Sequence, residues 1–81
     1  MKSELSQKNK TVGLRQSIKA FKKGNVIKAY IAKDVKPEVI NEFMQLCENV
    51  KVEIIYVESQ IRLGELCNIE RPATVACIIE K

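Results

Sequence analysis

The chain of 81 residues has no histidine and no tryptophan, and it has only three glycines, two prolines and four aromatic side chains. Without histidine it lacks the side chain that most often acts as general acid or base near neutral pH. It also lacks a glycine-rich phosphate-binding motif, a serine nucleophile elbow and a carboxylate cluster dense enough for a divalent ion. The sequence therefore predicts a protein that is not an enzyme and has no cofactor or metal.

The three cysteines, Cys47, Cys67 and Cys77, are widely spaced and form no C-x-x-C pair. No histidine exists to complete a metal site with them, so we expect buried, reduced thiols and hence a reducing compartment. The sequence has no stretch that resembles a signal peptide and none of transmembrane length. We therefore expect a cytoplasmic protein without membrane contact.

The length predicts a single domain over residues 1–81, which we expect to be a monomer. Its charge is unevenly distributed. Residues 8–36 carry nine cations and one carboxylate, whereas residues 37–81 carry four cations and eight glutamates. Clustered cations favour a polyanionic partner for the first half, because they release counterions from phosphates. A solvated, lysine-rich surface would have the same composition.

Hydrophobic periodicity predicts helices alternating with strands. Residues 11–24 form an amphipathic helix whose buried side carries Leu14, Ile18 and Phe21, with Thr11 as its cap. Strands are predicted over residues 26–32, 52–57 and 74–79, further helices over residues 37–49 and 60–67, and a short helical turn over residues 3–8. This alternation predicts an α/β domain in which helices cover both faces of a small sheet.

Single residues are predicted to mark the boundaries of these elements. Ser59 is expected to cap the helix over residues 60–67, and Asn68 to adopt a left-handed conformation after it. Asp34 is expected to bond the backbone at the start of the helix over residues 37–49. Each of these roles is structural rather than catalytic.

Three segments are predicted to contact a ligand at one edge of the sheet: the start of the first helix, residues 33–36 and residues 69–73. Loops that leave an α/β sheet on the same side commonly form its binding site. Gly13 leaves the helix start uncovered, where free N–H groups favour a phosphate. The candidate contact residues are Gly13, Leu14, Arg15, Gln16, Lys19, Lys22, Lys23, Lys33, Lys36, Ile69, Glu70, Arg71, Pro72 and Ala73.

The loop over residues 69–73 has two possible interpretations, one as a contact to RNA and one as a simple connection. Its apolar tip can pack on an unstacked base, and Arg71 can stack on that base or meet a phosphate. In the alternative reading it is an ordinary connection in which Pro72 only holds Arg71 extended.

Three short patterns follow one another with a specific spacing: G-x-x-x-x-x-K at residues 13–19, I-A-x-D-x-x-P at residues 31–37 and S-x-x-x-L-G at residues 59–64. Together with the loop before the last strand, they resemble the kink-turn RNA-binding ribosomal proteins, typified by the archaeal large-subunit kink-turn protein and its small bacterial paralogues of the YbxF type. The resemblance covers about residues 11–79. It implies a three-layer α/β/α sandwich with a small central mixed sheet.

The resemblance also implies a partner. A kink-turn is a duplex RNA bent sharply by an unpaired bulge beside tandem sheared G·A pairs. In the family the helix start meets the G·A pairs and the apolar loop covers the bulge. Carried onto this chain, Gly13 lets the backbone approach, Arg15, Gln16 and Lys19 face the guanines, and residues 69–73 cover the bulge. The implied partners are a kink-turn, or a related internal loop with G·A pairs, and the ribosome.

The chain departs from the archaeal pattern at two places. Arg15 and Gln16 stand where the archaeal proteins have Asn and Glu, and Arg71 replaces an apolar residue of the loop. The Gln16 carbonyl can still accept a guanine N–H, and Arg15 adds a contact to guanine or phosphate. A basic residue followed by Gln is similar to the pair in the bacterial paralogues.

Two other functions are compatible with the sequence. The glutamate-rich second half, with Glu38, Glu42 and Glu48, could dock a protein partner. Alternatively, the chain could be a ribosomal component that binds structured RNA without any preference for a kink.

Overall fold

The computed structural model describes residues 9–80. Within that range a four-stranded sheet of order β1-β4-β2-β3 lies at the centre. The strands are β1 (Lys10–Val12), β2 (Val26–Ala32), β3 (Glu53–Val57) and β4 (Val75–Ile79). The helices are α1 (Leu14–Lys23), α2 (Asn41–Val50) and α3 (Gln60–Leu66), and a 3₁₀ helix spans Pro37–Val39. Strands β2 and β3 run parallel and the other pairs antiparallel, so the sheet is mixed.

Helices cover both faces of this sheet. On one face, Phe21 of α1 and Phe43 of α2 meet edge to face, with ring centroids 5.4 Å apart, over the buried strand residues. On the other face, Leu63 and Cys67 of the α3 region pack against Tyr30 of β2 and its neighbours. Burying apolar side chains on both faces stabilises all three layers together. The predicted three-layer α/β/α sandwich is therefore confirmed.

Most predicted elements are present. The strand over residues 26–32 has the predicted bounds, and β3 and β4 each begin one residue later than predicted. Ser59 caps α3, because its Oγ accepts a hydrogen bond of 3.0 Å from the Arg62 N–H. Asn68 adopts the left-handed conformation, with φ of 63°. The helical turn predicted over residues 3–8 lies outside the described residues.

The cap predicted at Thr11 is wrong, because Thr11 lies in β1. Strand β1 pairs antiparallel with β4, and Thr11 is opposite Cys77. The backbone position that begins α1 is instead Gly13, with φ of 95°. Three residues are too few to produce a periodic pattern, so only the pairing with β4, distant in sequence, defines this strand.

The helix predicted over residues 37–49 is divided. The 3₁₀ helix ends at Val39, and α2 begins at Asn41. Between them Ile40 has φ of −111° and ψ of 15°, and its side chain is buried.

Asp34 also has a different partner from the predicted one, because its Oδ1 accepts a hydrogen bond of 2.9 Å from the Gln60 N–H at the start of α3.

All three cysteines are buried free thiols, as predicted. Burial, followed by nearby Cys77 and Glu48, raises the pKa of Cys47 to about 11. Burial also raises the pKa of Cys67 and of Cys77. The thiols therefore stay neutral near pH 7 and serve as core packing. Over residues 9–80, none of the helices has the length and apolar character needed to cross a bilayer.

Candidate nucleic-acid interface

Three segments lie at the same edge of the sheet because of the strand directions. Strand β1 ends beside the start of β4, where Val12 is opposite Ala76. Strand β2 also ends there, where Ile31 is opposite Val75, and the parallel strand β3 ends beside it. The start of α1, residues 33–36 and residues 69–73 follow or precede these strand ends. We call this side of the molecule the loop edge.

The start of α1 is open. Gly13 precedes the helix with a backbone conformation that favours glycine, and no side chain caps the helix. Its first turn contains no acidic residue. A Cβ placed on Gly13 would meet nothing within 4 Å. Among the described residues, no side chain therefore caps the first N–H groups at the positive end of the helix dipole, which lies beside the exposed side chains of Arg15, Gln16 and Lys19.

A hydrogen bond between two hydroxyl groups joins the first turns of this helix to β1. Ser17 is fully buried, and its Oγ lies 2.9 Å from Oγ1 of Thr11 in β1. Hydrogen bonds from both hydroxyl-bearing side chains to Cys77 partly offset the rise that burial causes in the pKa of that thiol. Sequence reasoning did not single out Ser17. The sequence feature that could have identified it is a serine among the otherwise small or apolar side chains on the side of α1 that faces the sheet.

The loop over residues 69–73 is held against α3. The Ile69 N–H donates to the Gly64 carbonyl over 3.1 Å, and the Ala73 N–H donates to the Gln60 carbonyl over 3.0 Å. A Cβ on Gly64 would overlap the Arg71 carbonyl oxygen. The close approach therefore requires glycine, and it fixes the loop so that its tip, residues 70–72, is exposed.

Residues 33–36 are fixed beside this loop. The Lys33 N–H donates to the Val57 carbonyl over 2.8 Å, and Asp34 bonds the start of α3 through Gln60. The Ala32 N–H donates to the Thr74 carbonyl over 3.0 Å, which joins the end of β2 to the residue after the loop. Lys33 and Lys36 are exposed here, so two cations border the loop edge.

Four candidate residues are placed differently from the others. Lys22 and Lys23 lie at the far end of α1, and a rise of about 1.5 Å per residue puts them about 14 to 15 Å along the axis from Gly13. Leu14 is half-buried and packs against the core. Ala73 is 3% exposed. Leu14 and Ala73 therefore contribute to the loop edge through their backbone rather than through exposed side chains.

An apolar depression adjoins the loop tip. It has a volume of about 410 Å³ and includes Ile61 of α3, Ile69 and Pro72. Ile61 is 66% exposed, and sequence reasoning did not single it out. The sequence feature that could have identified Ile61 is its place on the outer side of a short, otherwise polar helical turn. Among the described residues, no cluster of three or more cysteine, aspartate or glutamate side chains could hold a metal ion.

Comparison with known proteins agrees with this architecture. The sequence profile of the Ribosomal protein L7Ae/L30e/S12e/Gadd45 family matches residues 1–81. The chain is 38% identical over 66 residues to an RNA-binding protein of Halalkalibacterium halodurans, covering 80% of each. It is 33% identical over 67 residues to an RNA-binding protein of Caldanaerobacter subterraneus subsp. tengcongensis, covering 83% of this chain and 82% of the other. The chain belongs to this family.

Solved structures show the same fold. The Giardia lamblia 15.5kD RNA binding protein is similar with a TM-score of 0.79 and 27% identity over 89% of this chain. The chain spans 61% of the length of that protein. A protein of unknown function from Bacillus halodurans has a TM-score of 0.77 at 17% identity, which is a likeness of fold alone.

Proposed function

We propose that this chain is a non-catalytic RNA-binding protein that recognises and stabilises kink-turn RNA, and that it is a cytoplasmic monomer associated with the ribosome. The observation that carries the proposal is the open start of α1, with Arg15, Gln16 and Lys19 exposed, beside two loops at one edge. Relatives that are named RNA-binding proteins support the RNA partner. The order and spacing of the three sequence patterns support the kink-turn.

The start of α1 would meet the G·A pairs. Its free N–H groups and dipole favour a phosphate, and the open space at Gly13 lets the RNA backbone come close. Arg15 can donate to guanine O6 and N7 or to a phosphate, and the Gln16 carbonyl can accept from a guanine N–H. Lys19 lies one turn further along the same exposed side and adds a cation that attracts guanine acceptors and phosphates.

The loop tip would cover the unpaired nucleotides. Pro72 and the half-buried Ile69 provide apolar surface, and Arg71 can stack on an unpaired base. Lys33 and Lys36 border the same edge, where a sharp bend would crowd phosphates together. The loop tip is held by backbone hydrogen bonds to α3, so little ordering is required on binding.

No covalent chemistry on the RNA is required. Free RNA of this type would populate the bent form only in part, and a protein that binds the bent form more tightly shifts the equilibrium towards it by that difference in affinity. Contacts on both sides of the bulge provide such a difference, because a straight duplex cannot reach the start of α1 and the loop tip in the same way.

Gel shifts at one salt concentration test the proposal. The wild-type chain is compared on a kink-turn and on the same RNA with Watson–Crick pairs in place of the G·A pairs. We expect binding at least about tenfold tighter to the kink-turn, equivalent to about 1.4 kcal/mol. Equal affinity for both RNAs would contradict kink recognition and favour a general binder of structured RNA.

Two variants test the residues. Gln16→Ala and Lys19→Ala should each weaken binding to the kink-turn much more than to a plain duplex of equal length. Lys51→Gln, at the end of α2, removes one charge from a residue outside the candidate set and is the control. Equal losses on both RNAs would leave only a phosphate-binding surface.

A protein pull-down that survives nuclease and is lost on charge reversal at Glu38, Glu42 and Glu48 would favour the protein-docking alternative.

A further inference from the structure

A groove lies beside α1 on the side of the edge strand β1. It has a volume of about 280 Å³, and α1 contributes Gln16, Lys19 and Lys23 to its lining. Lys10 and Asn25 lie along its other border. The groove is open to solvent and starts at residues of the loop edge, but it leads away from that edge towards the far end of α1.

The charges in this groove have one sign. Gln16, Lys19 and Lys23 follow one another at three- and four-residue spacing, so they form one stripe of α1. Over residues 9–80, no carboxylate side chain is among those that line the groove. Glu80 is bonded to Asn25 through its own backbone: its carbonyl accepts from the Asn25 side-chain amide over 3.2 Å, and its N–H donates to the Asn25 backbone carbonyl over 2.8 Å. Two ammonium groups and the Gln16 amide therefore line a space to which no described residue contributes a carboxylate.

Lys10 does not add a third ammonium to the groove. It alternates along β1 with Thr11, which faces Ser17 of α1, and therefore points to the same side as Val12, which packs against the opposite core. Burial raises the pKa of Cys67, a residue of that opposite core, and the charge of Lys10 partly offsets that rise. Lys23 is therefore the only cation in the groove that lies beyond the candidate guanine contacts, within the described part of the chain.

We propose that this groove holds the sugar–phosphate backbone of one duplex arm of the bound RNA, so that the RNA contact extends along the whole of α1 and Lys23 binds a phosphate outside the kink. This inference rests on the proposed function. Lys23 lies one helical turn, about 6 Å, beyond Lys19. A polyanion that contacts Gln16 and Lys19 and continues in the same direction must pass Lys23.

The neighbouring residue offers a matched comparison. Lys22 is exposed in the same last turn of α1 but does not line the groove. Both lysines lie just before Gly24, which ends the helix, so both interact with the negative end of the helix dipole. Replacing either one with glutamine removes the same charge and the same dipole interaction, and only Lys23→Gln changes the groove.

The experiment uses the full chain and three RNAs: a kink-turn with two long arms, and two derivatives in which one arm or the other is shortened to a few base pairs. Dissociation constants are measured over a salt series for wild type, Lys23→Gln, Lys22→Gln and Lys51→Gln. Thermal unfolding of each variant is recorded to check that it folds.

We expect Lys23→Gln to reduce the slope of the logarithm of the binding constant against the logarithm of the salt concentration by the equivalent of about one phosphate contact. This reduction should occur on the long-armed RNA and on the derivative that keeps the contacted arm. On the derivative that lacks the contacted arm, Lys23→Gln and wild type should bind alike. Lys22→Gln should have a smaller effect that does not depend on arm length. Lys51→Gln, far from the groove, should behave as wild type on all three RNAs.

Two results would overturn the inference while leaving the proposed function intact. One is an equal effect of Lys23→Gln on all three RNAs, and the other is no effect on any, each with the wild-type preference for the kink-turn over its G·A-disrupted form retained. If the wild-type chain has no such preference, the proposed function fails and this inference fails with it.

Discussion

Helices α1 and α3 both begin at the loop edge, and their first turns are opposites. In α3 the Ser59 hydroxyl accepts from the Arg62 N–H and the Asp34 carboxylate accepts from the Gln60 N–H. In α1 no side chain caps the first turn, and no acidic residue lies in it. The protein therefore satisfies one helix start with its own oxygens and leaves the other able to bind an external anion.

The glycines of the two regions differ in the same way. A Cβ on Gly13, before α1, would meet open space, whereas a Cβ on Gly64, within α3, would overlap the backbone of Arg71. Gly13 is required by its positive φ, and Gly64 by the closeness of another segment. Region α3 is thus a packed support for a loop, and the start of α1 is a free surface. Four substitutions test this contrast, and they follow in order of decreasing effect.

Arg15→Glu would make the start of α1 resemble that of α3. A carboxylate in the first turn interacts favourably with the helix dipole, so the melting temperature should not fall. Binding to a kink-turn should weaken by about a hundredfold, or about 2.8 kcal/mol, because a cation contact is replaced by repulsion of phosphate. Filter binding measures the affinity, and Lys51→Glu, with the same change of charge, is the control. Similar losses for both variants would contradict a localised site.

Gly64→Ala should move the loop away from α3. Its methyl group would overlap the Arg71 carbonyl, and this overpacking should lower the free energy of unfolding by about 2 kcal/mol despite the higher helix propensity of alanine. Urea denaturation measures the loss. Kink-turn affinity should also fall, since the loop tip shifts. A variant as stable as wild type would show that the close contact is absent in solution.

Gly13→Ala should destabilise the chain through its backbone alone. With φ of 95° and ψ of 160°, Gly13 adopts a conformation that is unfavourable for an L-residue, so we expect a loss of about 1.5 kcal/mol in the free energy of unfolding. A chemically synthesised chain with D-alanine at position 13 should recover most of that stability, because a D-residue favours positive φ. Failure of D-alanine to recover it would mean that contacts, rather than backbone conformation, require glycine here.

Ser59→Ala should have the smallest effect and should separate stability from binding. Loss of the cap on α3 should lower the free energy of unfolding by about 1 kcal/mol. Kink-turn affinity, measured well below the melting temperature, should stay within about twofold of wild type, or about 0.4 kcal/mol. A selective loss of affinity at unchanged stability would place Ser59 in the interface and weaken the contrast between the two helix starts.

The sequence predicted what local chemistry decides. Alternating β-branched residues identified β2, and the residue types at Ser59 and Asn68 identified the ends of α3. Contacts between distant segments were missed, because no local pattern encodes them. Thr11 forms a strand only because β4 pairs with it, and Asp34 bonds a residue 26 positions away.

In the candidate site, too, the local features could be predicted from the sequence and the contacts between distant segments could not. The exposed side of α1 follows from helical periodicity, so the exposure of Arg15 and Lys19 could be predicted. The hydrogen bond between Ser17 and Thr11 could not be predicted, since it depends on the position of β1. The distance of Lys23 from the start of α1, by contrast, follows from the rise per residue along a helix.

The hydrogen bond between Asp34 and Gln60 has a mechanical consequence. The Gln60 backbone carbonyl also accepts a hydrogen bond from the Ala73 N–H, so a single residue joins the segment after β2 to the end of the apolar loop. Because hydrogen bonds tolerate only small changes of length and angle, a displacement of one segment strains the other. The two segments should therefore move as a unit, and any redesign that alters the shape of one must allow for the shape of the other.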